Sequence, residues 1–245
     1  MSMLAAFFIA VGIGDLIRRG ARHRWVPPLL GAGVLVGTAM LAGLWRPGDL
    51  VLLALAAVGS VAWQLWCGHA ERTGTRQIAA LVTFGATVTA LILLSTLASE
   101  VAGPVGRWVS ASAVTGDASP DRVLMATGVL LVQVSTANQL VRLILGSVGA
   151  VRPAGQPQPS DQLKGGRLLG PMERLLIVGL GLAGQLTMAT AVVAAKSIIR
   201  FPEINAKRDR DQSAVGIDEV TEYFLVGSFA SWIVAFAGLA LVAAT

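Results

Sequence analysis

Lys196, Arg200 and Glu203 stand at i, i+4 and i+7, a spacing that puts two cations and an acid on one stripe of a continuous helix, although Pro202 is placed to end it. Asp218, Glu219 and Glu222 share a face of the next segment, just ahead of an apolar run. An unpaired charge at mid-bilayer costs roughly 2.5–3.5 kcal/mol or more, so such groups pair, snorkel to an interface or line a wet cavity. Two arrangements meet that demand. In one, Lys196 and Glu222 share a polar site. In the other, Lys196 and Arg200 close a helix while Asp218, Glu219 and Glu222 open the next, each sign where the macrodipole favours it; this suits Arg200, Asp218 and Glu219.

Other chemistry-bearing residues are sparser. Asp15 is the one acid of the first apolar run, and it is either functional or paired with Arg18 or Arg19 a turn away. Gln133, Ser135, Thr136, Asn138 and Gln139 make the fifth apolar run unusually polar, which turns that face toward neighbouring helices or a cavity rather than lipid. Gly179-Leu-Gly-Leu-Ala-Gly184 matches a dinucleotide fingerprint with Glu203 at the right distance, but the strands of a nucleotide fold are missing around it. Its glycines are read as close helix packing or a bend. Gly33 and Gly37 form the small-residue contact motif of membrane helices. His23 and His69 have no metal-ligand spacing, and Cys67, the single cysteine, has no disulfide partner in the chain. No cofactor and no metal are expected.

The elements that carry these residues are set by composition. Of 245 residues, 54% are hydrophobic and 13% charged, against roughly 45–50% and about 25% in a soluble domain. Seven nearly charge-free runs follow one another: Met3–Ile17, Val26–Trp45, Leu50–Trp66, Ile78–Ala98, Val123–Val141, Leu175–Ala195 and Phe224–Ala244. Most have the length of a helix crossing roughly 30 Å of hydrocarbon, and barrel-type alternation is absent. The fold class is therefore all-α, a polytopic transmembrane helical bundle. Arg46-Pro47-Gly48-Asp49 reads as a tight turn, and Ser119-Pro120-Asp121 and Gly170-Pro171 as helix starts. Residues 1–150 are expected to form a five-segment membrane bundle, 151–170 a cytoplasmic Pro/Gly linker and 171–245 a carboxy-terminal membrane unit.

The net charge of +5 comes from arginines clustered in short loops, where they set topology or touch anionic lipid rather than bind nucleic acid. The first run has no basic residue before it, so it is expected to be a retained helix with its amino end outside. With that orientation, eleven Lys and Arg fall in cytoplasmic loops before and around the linker and three outside. The sixth run breaks the pattern, since a crossing there puts Lys207, Arg208 and Arg210 outside. A re-entrant hairpin near 175–200, bent at Gly179, Gly181 and Gly184, restores it. The count is then six crossings; without the hairpin it is seven.

Gly166-Arg-Leu-Leu-Gly-Pro-Met-Glu-Arg174, Ala183-Gly-Gln185, Ala194-Ala-Lys-Ser-Ile-Ile-Arg-Phe201, Glu203 and Glu222-Tyr-Phe-Leu-Val-Gly-Ser228 resemble the carboxy-terminal signature of a family of uncharacterised bacterial inner-membrane proteins. The resemblance covers about Gly165 to Phe236. In that family a first helix with His-x-x-x-Asp is similar to membrane-bound metal-dependent hydrolases; here Asp15 matches the aspartate while Val11 takes the histidine position. The set that remains is Glu173 with Arg174, Lys196 with Ser197 and Arg200, and Glu222 with Tyr223. Together these readings give a multi-pass protein of a bacterial cytoplasmic membrane that binds or passes a small polar or anionic ligand. Lys196 and Arg200 would supply positive charge, while Glu173, Glu222 and Tyr223 orient or gate. The alternatives are a membrane-embedded hydrolase of lipid or lipid-linked substrates, and a structural subunit. Expected partners are the bilayer, an anionic lipid or small anion, and another membrane protein.

Overall fold

The computed structural model of the protein describes residues 1–18, 20, 21, 23, 25–112, 116, 118–151, 166–195, 198 and 217–245 and, of 166–168 and 217–220, the backbone alone. Every regular element among them is helical: α1 (Ser2–Arg18), α2 (Val26–Ala42), α3 (Pro47–Thr73), α4 (Gln77–Leu93), a 3-10 turn (Ser95–Leu97), α5 (Pro104–Ala111), α6 (Pro120–Val134), α7 (Thr136–Ser147), α8 (Gly166–Leu182), α9 (Leu186–Ala195) and α10 (Ile217–Ala243). The all-α class stands. By length and apolarity α3 and the Thr221–Ala243 part of α10 are fit to cross a membrane, and α6 with α7 makes a third if the two are one broken span. The shorter α2, α4 and α9 are apolar as well. This is a membrane protein.

Helix ends differ from expectation in two places. Pro47-Gly48-Asp49 is the first turn of α3 rather than a turn before it, because Pro47 suits the first helical position and Asp49 accepts the Arg46 N–H at 3.0 Å. Pro171 lies inside α8, which starts at Gly166. Ser119 behaves as expected, capping α6 through the Arg122 N–H at 3.2 Å. The expected linker falls mostly on residues 152–165, outside the described residues.

The chain makes two compact units, residues 1–136 with 240–245, and residues 137–239. In the first, α1 is the axis. Ser2 to Gly12 are buried on every side of that helix, as an apolar surface all round requires. Around it, α2 buries the stripe Gly31, Leu35, Ala39 and Ala42, and α3 buries Leu52, Ala56, Gly59, Trp63 and Cys67. Both follow the three-to-four spacing of one helix face. Phe84 of α4 stands 5.9 Å from Phe7 and 5.0 Å from Trp63, ring centre to ring centre.

Glycine sets the closest approach. A Cβ on Gly128 of α6 would lie 2.8 Å from the Ala5 carbonyl oxygen, and one on Gly12 would lie 2.9 Å from Leu131 Cβ. The motif at Gly33 and Gly37 has no such role: a Cβ at either meets nothing within 4 Å among the described residues. Those two glycines sit off the buried stripe of α2, so the expected helix contact is made elsewhere. At one end of the unit Asp49, fully buried, accepts from the Ser99 N–H and hydroxyl, both at 2.8 Å, while Ser2 donates to the Ser99 carbonyl at 2.6 Å. One carboxylate thus joins the start of α3 to the segment after α4.

In the second unit α8 ends in left-handed Gly184, φ 76°, with Gln185 N–H bonded to the Leu180 carbonyl at 2.8 Å and Gly184 N–H to that of Gly181 at 3.0 Å. That Schellman closure satisfies the terminal carbonyls and lets α9 begin at once. The run in which a bend is expected is interrupted at Gly184. Gly181 packs against Leu239 of α10, and Gly227 of α10 faces Leu145 and Val141 of α7.

Gly128→Val forces a branched side chain against backbone and is expected to cost about 1–3 kcal/mol, whereas Gly33→Ala is expected to be neutral or to stabilise by up to about 1 kcal/mol. Thermal unfolding of both variants in one detergent checks the contrast.

Candidate functional sites: two buried polar centres

The first centre lies in the amino-terminal unit. Asp15, on the carboxy-terminal half of α1, is 2% exposed. Such a carboxylate is tolerable only with donors around it. Trp63 Nε1 donates to both its oxygens at 3.2 and 3.1 Å, and Gln64 Nε2 to Oδ1 at 2.9 Å. Both donors come from the buried face of α3, one residue apart. Arg18, a turn further along α1, places Nη1 3.4 Å from Asp15 Oδ1 and Nη2 3.4 Å from Glu71 Oε1. Thr136 lies against the same carboxylate, and Cys67 lies beside Arg18. Of the two readings of Asp15, the pairing with Arg18 is the one realised; Arg19 falls outside the described residues.

Ser135 completes this region. Its hydroxyl lies 2.8 Å from the Gly12 carbonyl and 2.9 Å from that of Leu131, next to the break between α6 and α7. The Leu131 carbonyl also keeps its backbone bond from the Ser135 N–H at 3.2 Å, so the hydroxyl adds a second bond there and ties the break to α1. Gln133, Ser135, Thr136 and Gln139 are all buried, so the polar residues of the fifth run face protein.

The second centre lies in the other unit. Arg174 of α8 is 2% exposed, with Nη1 donating to Ser231 Oγ of α10 at 2.9 Å and Nη2 to Asn138 Oδ1 of α7. Beside it Glu173, also buried, accepts from Trp232 Nε1 at 2.7 Å. Gly170 gives the guanidinium room, since a Cβ there would already touch Arg174 Nη1 at 3.4 Å. Ser231 and Asn138 each bond one guanidinium nitrogen, and Glu173 is a charged neighbour of the same group.

Of the residues singled out from sequence, Glu173 is therefore in a built polar site, while Glu222 is exposed and Tyr223 half-buried on α10. Glu222 precedes Ser231 by nine residues, about 14 Å along a helix axis, so these acids do not converge. Lys196 and Arg200, with Ser197 and Glu203, lie outside the described residues, and of Asp218 and Glu219 only the backbone is described. Sequence reasoning missed Ser231 and Trp232, whose types alone carry no signal, and missed Trp63 and Gln64 for the same reason. Among the described residues no three His, Cys, Asp or Glu side chains gather as a metal site would need. No protein-family model, curated protein or solved structure matches the chain.

Asp15→Ala strands Arg18, Trp63 Nε1 and Gln64 Nε2 at once, and the expected loss is about 3–5 kcal/mol. Asp15→Asn keeps one acceptor oxygen and is expected to lose less. Chemical unfolding in mixed micelles, followed by loss of helix, ranks the two.

Proposed function

We propose that this chain is a multi-pass protein of a bacterial cytoplasmic membrane, with six or seven crossings, that binds a small polar or anionic ligand without transforming it. The observation that carries the reading is Arg174 of α8, a buried guanidinium held by Ser231 of α10 and Asn138 of α7. Ionisable groups inside membrane helices are costly and mark binding sites or pathways. The neutral oxygens orient the guanidinium fork, which is the geometry that suits carboxylate or phosphate oxygens. Glu173, held by Trp232, sets the polarity next to it. In this proposal Lys196 and Arg200 add positive charge to the approach, and Glu222 and Tyr223 on α10 guard it. The helix break at Gly184 is compatible with the six-crossing form, in which α8 and α9 are the arms of a re-entrant hairpin and an internal cytoplasmic loop carries Lys207, Arg208 and Arg210.

Two measurements test this. In a thermal shift assay at constant ionic strength, inorganic phosphate or succinate is expected to raise the Tm of the purified protein, and Arg174→Gln to abolish the shift. Equal responses from wild type and variant, or none from either, reject the ligand site. For the topology, Cys67 is replaced by alanine and single cysteines are placed along 207–212; cytoplasmic labelling alone is expected for the hairpin, and periplasmic labelling establishes seven crossings.

A further inference from the structure

The Asp15 centre holds polar atoms that its own bonds do not consume. Among the described residues, Ser60 Oγ, Gln64 Oε1 and Thr136 Oγ1 are buried without a hydrogen-bond partner, and Arg18 Nη1 has its 3.4 Å ion contact with Asp15 but no aligned bond. They belong to one neighbourhood. Gln64 gives its amide N–H to Asp15, and Thr136 lies against the same carboxylate. Ser60 precedes Gln64 by one turn of α3, and Arg18 follows Asp15 by one turn of α1. Ser60 also lines the approach of α2, since a Cβ on Gly31 would lie 3.3 Å from its oxygen.

The atom types select what meets them. Gln64 Oε1 only accepts, so its neighbour must donate; Arg18 Nη1 only donates, so its neighbour must accept; the two hydroxyls serve either way. A bare cation is repelled by Arg18 and a bare anion by Asp15, while an apolar molecule satisfies none of the four. Buried polar groups left over in this way are normally bridged by internal water making two to four bonds, whereas apolar cavities stay dry. There is also a way in: side-chain exposure rises from 2% at Asp15 to 11% at Arg18 and 35% at Glu71, each joined to the next by a 3.4 Å ion contact.

We infer that the junction of α1, α3 and Thr136 is an internal hydration site, in which water bridges Gln64, Thr136, Ser60 and Arg18 and exchanges with the outside past Glu71. The site is independent of the Arg174 centre and survives the failure of the ligand-binding reading.

Radiolytic hydroxyl-radical labelling of the intact protein in detergent tests it directly, because radicals form where water is bound. Trp63 and Cys67 border the site and are as buried as Met125 of α6, all at 0% exposure. With each rate divided by that of the free amino acid, Trp63 and Cys67 are expected to be several-fold less protected than Met125; equal protection of all three overturns the inference. The second test is Ser60→Ala, which removes a hydroxyl that has no protein partner among the described residues and leaves the contacts of Asp15 in place. If water bridges that hydroxyl, the Tm falls. If the hydroxyl is an unsatisfied group in a dry core, its removal leaves the Tm unchanged or raises it, and the inference is wrong.

Discussion

The carboxylate of Asp15 is the constraint on which the amino-terminal unit turns. An ion that deep costs several kcal/mol to desolvate, and only well-placed donors and a countercharge offset it. Trp63 and Gln64 on α3 provide the donors and Arg18 on α1 the charge. The surrounding contacts are mostly apolar, and apolar contacts specify register weakly. Sliding α1 along α3 by one turn, about 5.4 Å, would exchange few apolar contacts for worse ones but would leave the carboxylate without indole or amide. The aromatic group of Phe7, Phe84 and Trp63 then has its orientation set from the same point, because the indole that donates to Asp15 also packs on Phe84.

The same economy explains where the helices break. In a bilayer a freed carbonyl or N–H has no water to turn to, so a break survives only where the protein supplies the missing partner. At the α6–α7 break the Leu131 carbonyl keeps the Ser135 N–H at 3.2 Å, and the Ser135 hydroxyl ties the break to the Gly12 carbonyl of α1. At the α8–α9 break backbone alone suffices, because Gly184 takes the left-handed conformation that closes the carbonyls of Leu180 and Gly181. One break thus engages a neighbouring helix and the other is self-contained. The first is accordingly tied to the packing of α1 on α6, where Gly12 and Gly128 permit close approach.

Hydropathy makes the helices legible, because each apolar run must satisfy its backbone internally and only a helix does so locally. Proline was legible where the requirement is local, since Ser119-Pro120 opens α6, while of the three glycines at which a bend of the sixth run is expected Gly184 is the one that ends α8. Proline and glycine misled where neighbours decide. Pro171 proved to be inside α8, and Gly33 and Gly37 face away from the buried stripe of α2. A spacing rule places residues on a common face without telling which face is covered. The polar centres were half legible. Asp15, Glu173 and the polar fifth run announce themselves as exceptions in apolar surroundings, but their partners Trp63, Gln64, Ser231 and Trp232 are ordinary membrane-helix residues until tertiary packing brings them to a charge.

Burial also changes how the loop charges should be weighed. The orientation proposed for the chain rests on eleven cytoplasmic Lys and Arg against three outside, and the rule behind it concerns charges that meet the membrane surface. Arg18 and Arg174 do not, since one is 11% exposed in its side chain and committed to Asp15 and Glu71, and the other is 2% exposed and committed to Ser231 and Asn138. Setting both aside leaves nine against three, so the bias does not depend on residues whose charge is used inside the fold. It also separates two uses of arginine in one chain. Arg76 lies over the Trp66 ring, 5.6 Å from its centre, whereas Arg18 and Arg174 each reach two partners with different nitrogens of one guanidinium, which a single ammonium on a flexible stem does not replace at the same geometry.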